Sequence, residues 1–243
     1  MIMNNAEYTQ AYTEVNCLLK YMPYSYINKL PEKLLTLIEN QSDDYYYIEQ
    51  KGEGKLQAYE ENGVLYVTAI MNDMVFGNQP ETNIIFYVPE GTELEKLDVE
   101  LGAGTIKASN LNGKEVEFDL GAGYIQWEAL NADALKIEMG AGKVVTTNAV
   151  LGDLEVSLGA GDCQVQAEIQ GNVEVNCSAG NVSLECVGKE TEFNYEISCT
   201  AGSIQIEKEK ISKVNETKKI DNNASKTMEL SVSAGNIEVE FEG

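Results

Sequence analysis

Histidine and arginine are absent from this chain, and all 17 of its basic residues are lysines. Without histidine the protein has no imidazole general base and no imidazole metal ligand. Without arginine it cannot clamp a phosphate or a carboxylate with a bidentate guanidinium. The 40 acidic residues give a formal net charge of −23, which disfavours nucleic acid as a partner because binding it depends on neutralising phosphates. These absences favour a non-enzymatic protein without a cofactor.

Cysteine is scarce and long apolar runs are missing. The chain has no CxxC pair, no run of 18 apolar residues and no basic segment followed by an apolar one at its beginning. The sequence therefore predicts no membrane span and a cytoplasmic protein with reduced thiols. The cysteines are Cys17, Cys163, Cys177, Cys186 and Cys199.

Residues 1–49 predict a small α-helical hairpin. Apolar residues between Tyr8 and Met22 recur with helical spacing, and Pro23 ends that segment. Pro31 is suited to the first position of a second helix, PEKLLTLIEN. A hairpin of this size has little stability alone, so we expect it to be an N-terminal cap or an interaction module. The division predicted is a hairpin over 1–49 and a β domain over 50–243.

From about residue 50 the apolar residues alternate, and no proline follows Pro89. A repeat then dominates, in which a strand, a Gly-Ala-Gly or its equivalent, and a second strand recur. The second glycines are separated by 19, 19, 19, 19, 22 and 33 residues. A fixed period predicts a mainly β fold, a β-solenoid (single-stranded β-helix or β-roll) with about 19 residues per coil. These corner glycines are Gly104, Gly123, Gly142, Gly161, Gly180, Gly202 and Gly235.

The parity of the apolar residues changes at each corner. Phe118 and Leu120 lie at odd offsets before Gly123, whereas Ile125 and Trp127 lie at even offsets after it. The chain must therefore bend at the corner, and the corner glycine needs a positive φ or a close backbone approach. We expect the alanine before it to point inward. Two inward ladders follow, one comprising Leu97, Val116, Leu135, Leu154, Val173, Tyr195 and Met228, the other Leu101, Leu120, Met139, Leu158, Cys177, Cys199 and Val232.

The series VELGAGTI, FDLGAGYIQW, IEMGAGKV, VSLGAGDC, CSAGNVSLE, CTAGSIQIE and VSAGNIEVEFEG resembles the bacterial "putative adhesin" β-solenoid family. The lead-in YVPEG, 87–91, also fits that family, and the resemblance covers about residues 50–243. It implies a domain of unknown function, without an assigned activity, in an envelope-stress or surface-associated role. Association with the cell envelope is thus an alternative to a cytoplasmic location.

Several side chains are candidates for metal, thiol, carbohydrate-binding or carboxylate sites. Calcium-binding β-solenoids repeat an aspartate in successive coils. Here only one of the seven residues that follow a corner glycine is an aspartate, so no metal site is predicted. Cys177 and Cys199 occupy the same position in successive coils, where they are expected as core thiols close enough to touch. Trp127 is expected in the core, with a carbohydrate platform as the alternative. Outward carboxylates are predicted at Glu100, Glu117, Asp119, Glu138, Glu155, Glu168 and Glu174, without a defined acid–base pair.

Two segments are candidate interaction sites. The tyrosines at 45–47 either seal the junction between hairpin and solenoid or form a binding patch. The insertion at 208–226 carries six lysines and three acids, and it is either a solvated loop or a contact with an acidic face. The residues singled out are Tyr45, Tyr46, Tyr47, Lys208, Lys210, Lys213, Lys218 and Lys219.

Three functions follow in order of preference. The first is a non-enzymatic binding module with a protein or envelope component as partner. The second is a cytoplasmic scaffold that assembles through open solenoid ends as a homo-oligomer, unless the hairpin and the lysine-rich insertion cap those ends. The third is a glycan-active enzyme, which is supported only by the fact that some enzymes of this class have a β-solenoid fold.

Overall fold

The structure, a computed structural model, describes residues 16–20, 33–40, 47–51, 55–61, 64–70, 82–89 and 91–243 except residue 213. Its strands are β1 (Asn16–Lys20), β2 (Lys33–Asn40), β3 (Tyr47–Lys51), β4 (Lys55–Glu61), β5 (Val64–Ile70), β6 (Thr82–Pro89), β7 (Glu93–Ile169), β8 (Val173–Val187), β9 (Phe193–Cys199), β10 (Ser203–Ile206), β11 (Glu209–Ile211), β12 (Glu216–Ile220), β13 (Lys226–Val232) and β14 (Asn236–Glu242). A single 3₁₀ turn, Glu190–Glu192, lies among them in this part of the chain.

One 14-stranded sheet is folded into two walls that face each other. The long strands β7 and β8 continue through five corner glycines. The strand bends at each of these corners, so that one straight segment precedes the corner and another follows it. We call the segments before the corners the first wall and those after them the second wall. Phe118 of the first wall packs on Trp127 of the second, with ring centroids 5.0 Å apart. Both predicted inward ladders are buried in the core between the walls. The predicted mainly β, solenoid-like fold is confirmed.

Neighbouring segments within each wall pair in parallel. Where β7 meets β8, Leu154 pairs with Val173 and Val165 with Leu184, so the paired residues are 19 positions apart. Side chains at equal repeat positions therefore stack in rows along the column, about 4.8 Å apart. We call two segments at the same height, one from each wall, a level.

The corner glycines lie against the backbone of the next level. A Cβ built on Gly142 would lie 2.0 Å from the carbonyl oxygen of Gly123, and one on Gly161 would lie equally close to that of Gly142. The φ angle of Gly142 is also positive, at 131°. A side chain at this position would thus meet a steric and a conformational obstacle together.

The alanines of the corners point outward, so the expectation that they face the core is wrong. Ala122, Ala141 and Ala160 are exposed, whereas Leu120 and Ile125 on either side of the first corner are buried. The physical reason is that the bend occupies the two residues before the corner glycine as well as the glycine itself. The alanine stands at the outer apex of this bend.

The turns that lead from the second wall back to the first, called return turns below, contain residues in the left-handed backbone conformation. Asn110, Ala129 and Asn148 occupy equivalent positions there, with φ angles of 52°, 55° and 53°. Asparagine tolerates this left-handed conformation better than alanine does, so Ala129 is the least suited of the three.

The last two levels are stacked out of chain order. Met228 of β13 pairs on one side with Val173 of β8 and on the other with Tyr195 of β9. In the second wall, β14 likewise lies between β8 and β10. The level formed by β13 and β14 is therefore inserted between two levels that precede it in the sequence.

The other end of the column repeats this arrangement. β1 lies between β5 and the first segment of β7, and β2 lies between β6 and the next segment of β7. The predicted helices are thus wrong where the structure describes them, at 16–20 and 33–40, because pairing with β5, β6 and β7 overrides the local helical preference. The rest of 1–49 is outside the described residues, except for β3, and the domain division at 49/50 stays a prediction.

Antiparallel strands border both ends. β12 covers the edge of β9 and β11 that of β10. At the opposite end, β4 covers β5 and β3 covers β6. The strand order of the first wall is therefore β4, β5, β1, four segments of β7, β8, β13, β9 and β12. These eleven segments are separated by ten strand spacings, so the wall is about 48 Å long. The lysine-rich insertion provides β11 and β12, so it caps this end of the column.

Candidate functional site

A row of glutamates runs along the outside of the first wall. Alternation places every second residue of a strand outward, and the repeat places these outward residues above one another. Glu155 pairs with Glu174, Glu174 with Glu229, and Glu229 with Glu196. We call the outward surface formed by Glu117, Lys136, Glu155, Glu174, Glu229 and Glu196 the acidic face.

An open groove of about 600 Å³ lies on this face. Its charged lining includes Lys96, Glu117, Asp153, Glu155, Glu174 and Glu229. The carboxylates outnumber the lysines, so the groove presents a negative potential to solvent.

Lysines neutralise the end of the groove nearer the N-terminal levels. Lys136 Nζ lies 2.7 Å from Glu138 Oε1 and 3.2 Å from Glu117 Oε1, and Lys96 Nζ lies 3.3 Å from Glu117 Oε2. Burial acts to raise the pKa of Glu117, but hydrogen bonds from Lys136 and Lys96 outweigh it and lower that pKa. Asp119 beside this cluster has a raised pKa because of burial and of neighbouring carboxylates, first among them Glu138.

Beyond Lys136 the carboxylates have no such compensation. Within the described residues, Glu155, Glu174 and Glu229 form no ion pair; Glu174 Oε1 accepts a hydrogen bond from Asn176 Nδ2 at 2.8 Å. Three consecutive levels therefore present uncompensated glutamates whose backbone positions are about 4.8 Å apart. This spacing suits a partner that carries several positive charges.

The predicted lysine sites separate into two groups. Lys219 Nζ lies 2.6 Å from Glu196 Oε1, and Lys218 contacts Glu209, so both serve the cap. Lys208 and Lys210 are exposed, and Lys210 borders a groove of the second wall. Tyr47 belongs to β3, whereas Tyr45, Tyr46 and Lys213 are outside the described residues. Of the described residues, Tyr47 pairs with β6 at one end of the column, whereas Lys218 and Lys219 pair with β9 at the other.

A second outward row, of hydrogen-bonded polar side chains, is not among the sites predicted from the sequence. Asn181 Nδ2 donates to Asp162 Oδ1 at 2.8 Å, Asn236 Nδ2 donates to Asn181 Oδ1 at 2.9 Å, and Ser203 Oγ donates to Asn236 Oδ1 at 2.7 Å. This polar row borders the groove of about 480 Å³ on the second wall. All four residues follow a corner glycine, which is the sequence signal that could have predicted the row.

The buried cysteines do not form a site. Val232 lies between Cys177 and Cys199 and pairs with both, so the expectation that these thiols nearly touch is wrong. Two strand spacings of about 4.8 Å exceed the Cα separation of a disulfide. Burial raises the pKa of Cys163 and of Cys186 to about 12. In the described part of the chain, no group of three or more Cys, Asp or Glu residues is arranged to hold a metal ion.

Trp127 is fully buried, as predicted, and its indole N–H has no hydrogen-bond partner. It therefore does not serve as a carbohydrate platform. The predicted outward carboxylates are all at least partly exposed. No helix among the described residues is long and apolar enough to cross a membrane.

Fold and surface together define an acidic β-solenoid-like repeat protein without a recognisable catalytic cluster among the described residues. The chain matches the Toastrack DUF4097 family over residues 34–166 and 102–240, and it belongs to that family. The predicted resemblance to a domain of unknown function with adhesin-like relatives is confirmed. No curated protein matches the chain.

Several solved structures are similar to this chain over nearly its whole length. One, described as a "putative cell adhesion protein" from Clostridium sporogenes, is 14% identical, covers 96% of this chain and 94% of its own, and has a TM-score of 0.34. A "putative adhesin" from Bacteroides fragilis is 10% identical over 94% of both chains, with a TM-score of 0.38. A "putative lipid binding protein" from Parabacteroides distasonis is 13% identical over 93% of both chains, with a TM-score of 0.48.

Proposed function

We propose that this protein is a non-enzymatic binding module whose acidic face docks a lysine-rich protein surface. The observation that carries the proposal is the uncompensated row of Glu155, Glu174 and Glu229 along an open groove. The strands fix the backbone beneath these glutamates, so little backbone order has to be gained on binding. The resulting field favours rapid, salt-dependent association with a cationic partner.

A non-enzymatic role is supported by the chemistry of the outward residues. The chain has no histidine, and its described thiols are buried in the core. The described part of the chain therefore offers neither an imidazole base nor an accessible thiol nucleophile.

The test is binding of a short oligolysine peptide, followed by fluorescence anisotropy at low and at physiological salt. Replacing Glu155, Glu174 and Glu229 by glutamine should weaken binding by about tenfold, equivalent to about 1.4 kcal/mol. A charge-matched control replaces Glu185, Glu238 and Glu240, which are exposed on the second wall. Both variants lose three charges, so only the position of the loss differs.

The comparison of the two variants decides the proposal. A loss confined to the first-wall variant supports a docking site on the acidic face. An equal loss in both would mean that the peptide senses only the net charge of the protein, and it would refute the site.

The alternative of a scaffold stacked through its ends has less support. The antiparallel strands β11 and β12 cover the edges at which another column would pair, and they are three and five residues long. β12 also places Lys218 and Lys219 at this border. Short edge strands with lysines disfavour edge-to-edge pairing.

A further inference from the structure

The C-terminal level, formed by β13 and β14, fills a slot between strands that are already adjacent in sequence order. One side of the slot is β8, and the other is β9 with β10. Nothing in the chain order requires that the occupant of the slot come from the same molecule. We propose that the slot also accepts β13–β14 of a second copy of this chain, so that two copies associate by exchanging this level.

The slot is selective for the level that it holds. Met228, Leu230 and Val232 are buried in the first wall, and Ile237 and Val239 are buried in the second. A Cβ on Gly235 would lie 2.1 Å from the carbonyl oxygen of Gly180, so the occupant needs glycine at its corner. Asn236 then completes the polar row between Asn181 and Ser203. An identical strand pair from another copy meets all these requirements.

Lys226, the first residue of β13, anchors the C-terminal level through contacts of its ammonium group. Lys226 Nζ lies 3.2 Å from Glu192 Oε2, donates to the carbonyl oxygen of Ile169 at 3.0 Å and lies 4.2 Å from the centroid of the Phe193 ring. An exchanged level would find the same three partners on the second copy. Exchange of identical elements replaces each contact by an equal one, so its cost comes from the hinge and from the association of two copies, and the second term falls as the concentration rises.

The hinge is residues 221–225, between β12 and β13. Asn194 Oδ1 accepts hydrogen bonds from the backbone N–H groups of Asn222 at 2.9 Å and Ala224 at 3.2 Å. Asn222 Nδ2 donates to the carbonyl oxygen of Phe193 at 2.7 Å. These bonds hold the hinge on its own column without burying it in the core. Released, five residues span up to about 17 Å, enough to reach an adjacent column.

The first test uses a thiol as a reporter in the full chain. In Val232→Cys the new thiol faces Cys177 and Cys199 across one strand spacing each, so a disulfide can form with either. In an exchanged pair these partners belong to the other copy. The protein is unfolded and refolded at low and high concentration and then oxidised with glutathione disulfide. Non-reducing electrophoresis and peptide mapping by mass spectrometry then locate the bond.

The matched control is Leu158→Cys. Leu158 pairs with Cys177 at the same repeat position but belongs to the uninterrupted column. We expect mapped interchain bonds from position 232 that increase with concentration, and only intrachain bonds from position 158. If Val232→Cys gives intrachain bonds alone at every concentration, the exchange is refuted.

A second test leaves the core unchanged, in case the thiol variants fold poorly. Ile220 and Lys226 lie on opposite sides of β9 and are offset by two residues along it, so they are about 12 Å apart. Deleting residues 221–224 leaves two Cα–Cα links, which span at most about 7 Å, so β13 cannot return to its own slot. We expect a dimer or a larger closed species by sedimentation velocity. A monomer whose C-terminal level is cut by protease would refute the proposal.

Discussion

Replacement of the corner glycine Gly142 should destabilise the protein far more than replacement of its neighbours in the same Gly-Ala-Gly. A Cβ at 142 would lie 2.0 Å from the oxygen, 2.8 Å from the nitrogen and 2.9 Å from the carbonyl carbon of Gly123. An ordinary carbon–oxygen contact needs about 3.3 Å, so the two levels would have to separate by about 1.3 Å at this corner. The φ of 131° adds strain that glycine does not experience.

The magnitude follows from these two terms. Backbone strain at such a φ costs about 1–3 kcal/mol, and weakening one or two hydrogen bonds between the levels costs about 1 kcal/mol each. We expect Gly142→Ala to cost about 2–5 kcal/mol, which lowers Tm by about 10 °C in a chain of this size. At Gly140 a Cβ would meet only the oxygen of Gly121, at 2.6 Å, so Gly140→Ala should cost about 1–2 kcal/mol.

The assay is thermal unfolding followed by circular dichroism, with Ala141→Ser as the control. Ala141 is exposed at the apex of the bend, so serine there should change Tm by less than about 2 °C. The expected order of loss is therefore position 142, then 140, then 141. Equal shifts for Gly142→Ala and Gly140→Ala would refute the close approach as the reason for the corner glycine.

The remaining predictions concern the return turns, the charged face and the thiols. Ala129→Asn should stabilise the protein by about 0.5–1 kcal/mol and Asn148→Ala should destabilise it comparably, because both positions have φ near 54°; denaturant midpoints check this. Asp119→Asn should raise Tm at pH 7, because the pKa of Asp119 is raised in the folded protein and its ionised form therefore opposes folding. The gain in Tm should vanish near pH 3, where Asp119 is protonated in both the folded and the unfolded state. A gain of the same size at pH 3 would contradict the raised pKa. Cys163 and Cys186, with pKa values of about 12, should resist alkylation at pH 8 until the protein unfolds, as mass spectrometry of the modified peptides would show.

The core of the repeat could be predicted from the sequence because period and parity both act on it. The 19-residue spacing places Leu154 on Val173, and the change of parity at Gly123 keeps both strand segments facing inward. Either constraint alone would leave the register open. The stacked position of the glutamates on the acidic face follows from the same two constraints.

The order of the last levels could not be predicted, because the same residues fit either order. Val173 accepts Met228 as readily as Tyr195, and Cys177 accepts Val232 as readily as Cys199, since all are apolar at equal repeat positions. The polar row is equally ambiguous, because Asn236 and Ser203 can both hydrogen-bond to Asn181. The connection from β10 to β13 runs through β11 and β12 and interrupts the 19-residue period, so the period does not specify the order.

The N-terminal strands were missed for a related reason. The segment Lys33–Asn40 contains a short apolar run that suits one face of a helix or a buried strand, and eight residues cannot distinguish the two. Its parallel partners, β6 and the second-wall part of β7, are distant in sequence and supply the deciding hydrogen bonds.

The insertion of β13 and β14 one level inside the column has a mechanical consequence. Tension applied along β14 would not peel an outermost strand one bond at a time. It would act at once on the hydrogen bonds to β8 on one side and β10 on the other, in the direction of shear. Forced unfolding depends on the rate of crossing such a barrier, so this attachment should be long-lived under load even where the overall free energy of unfolding is modest.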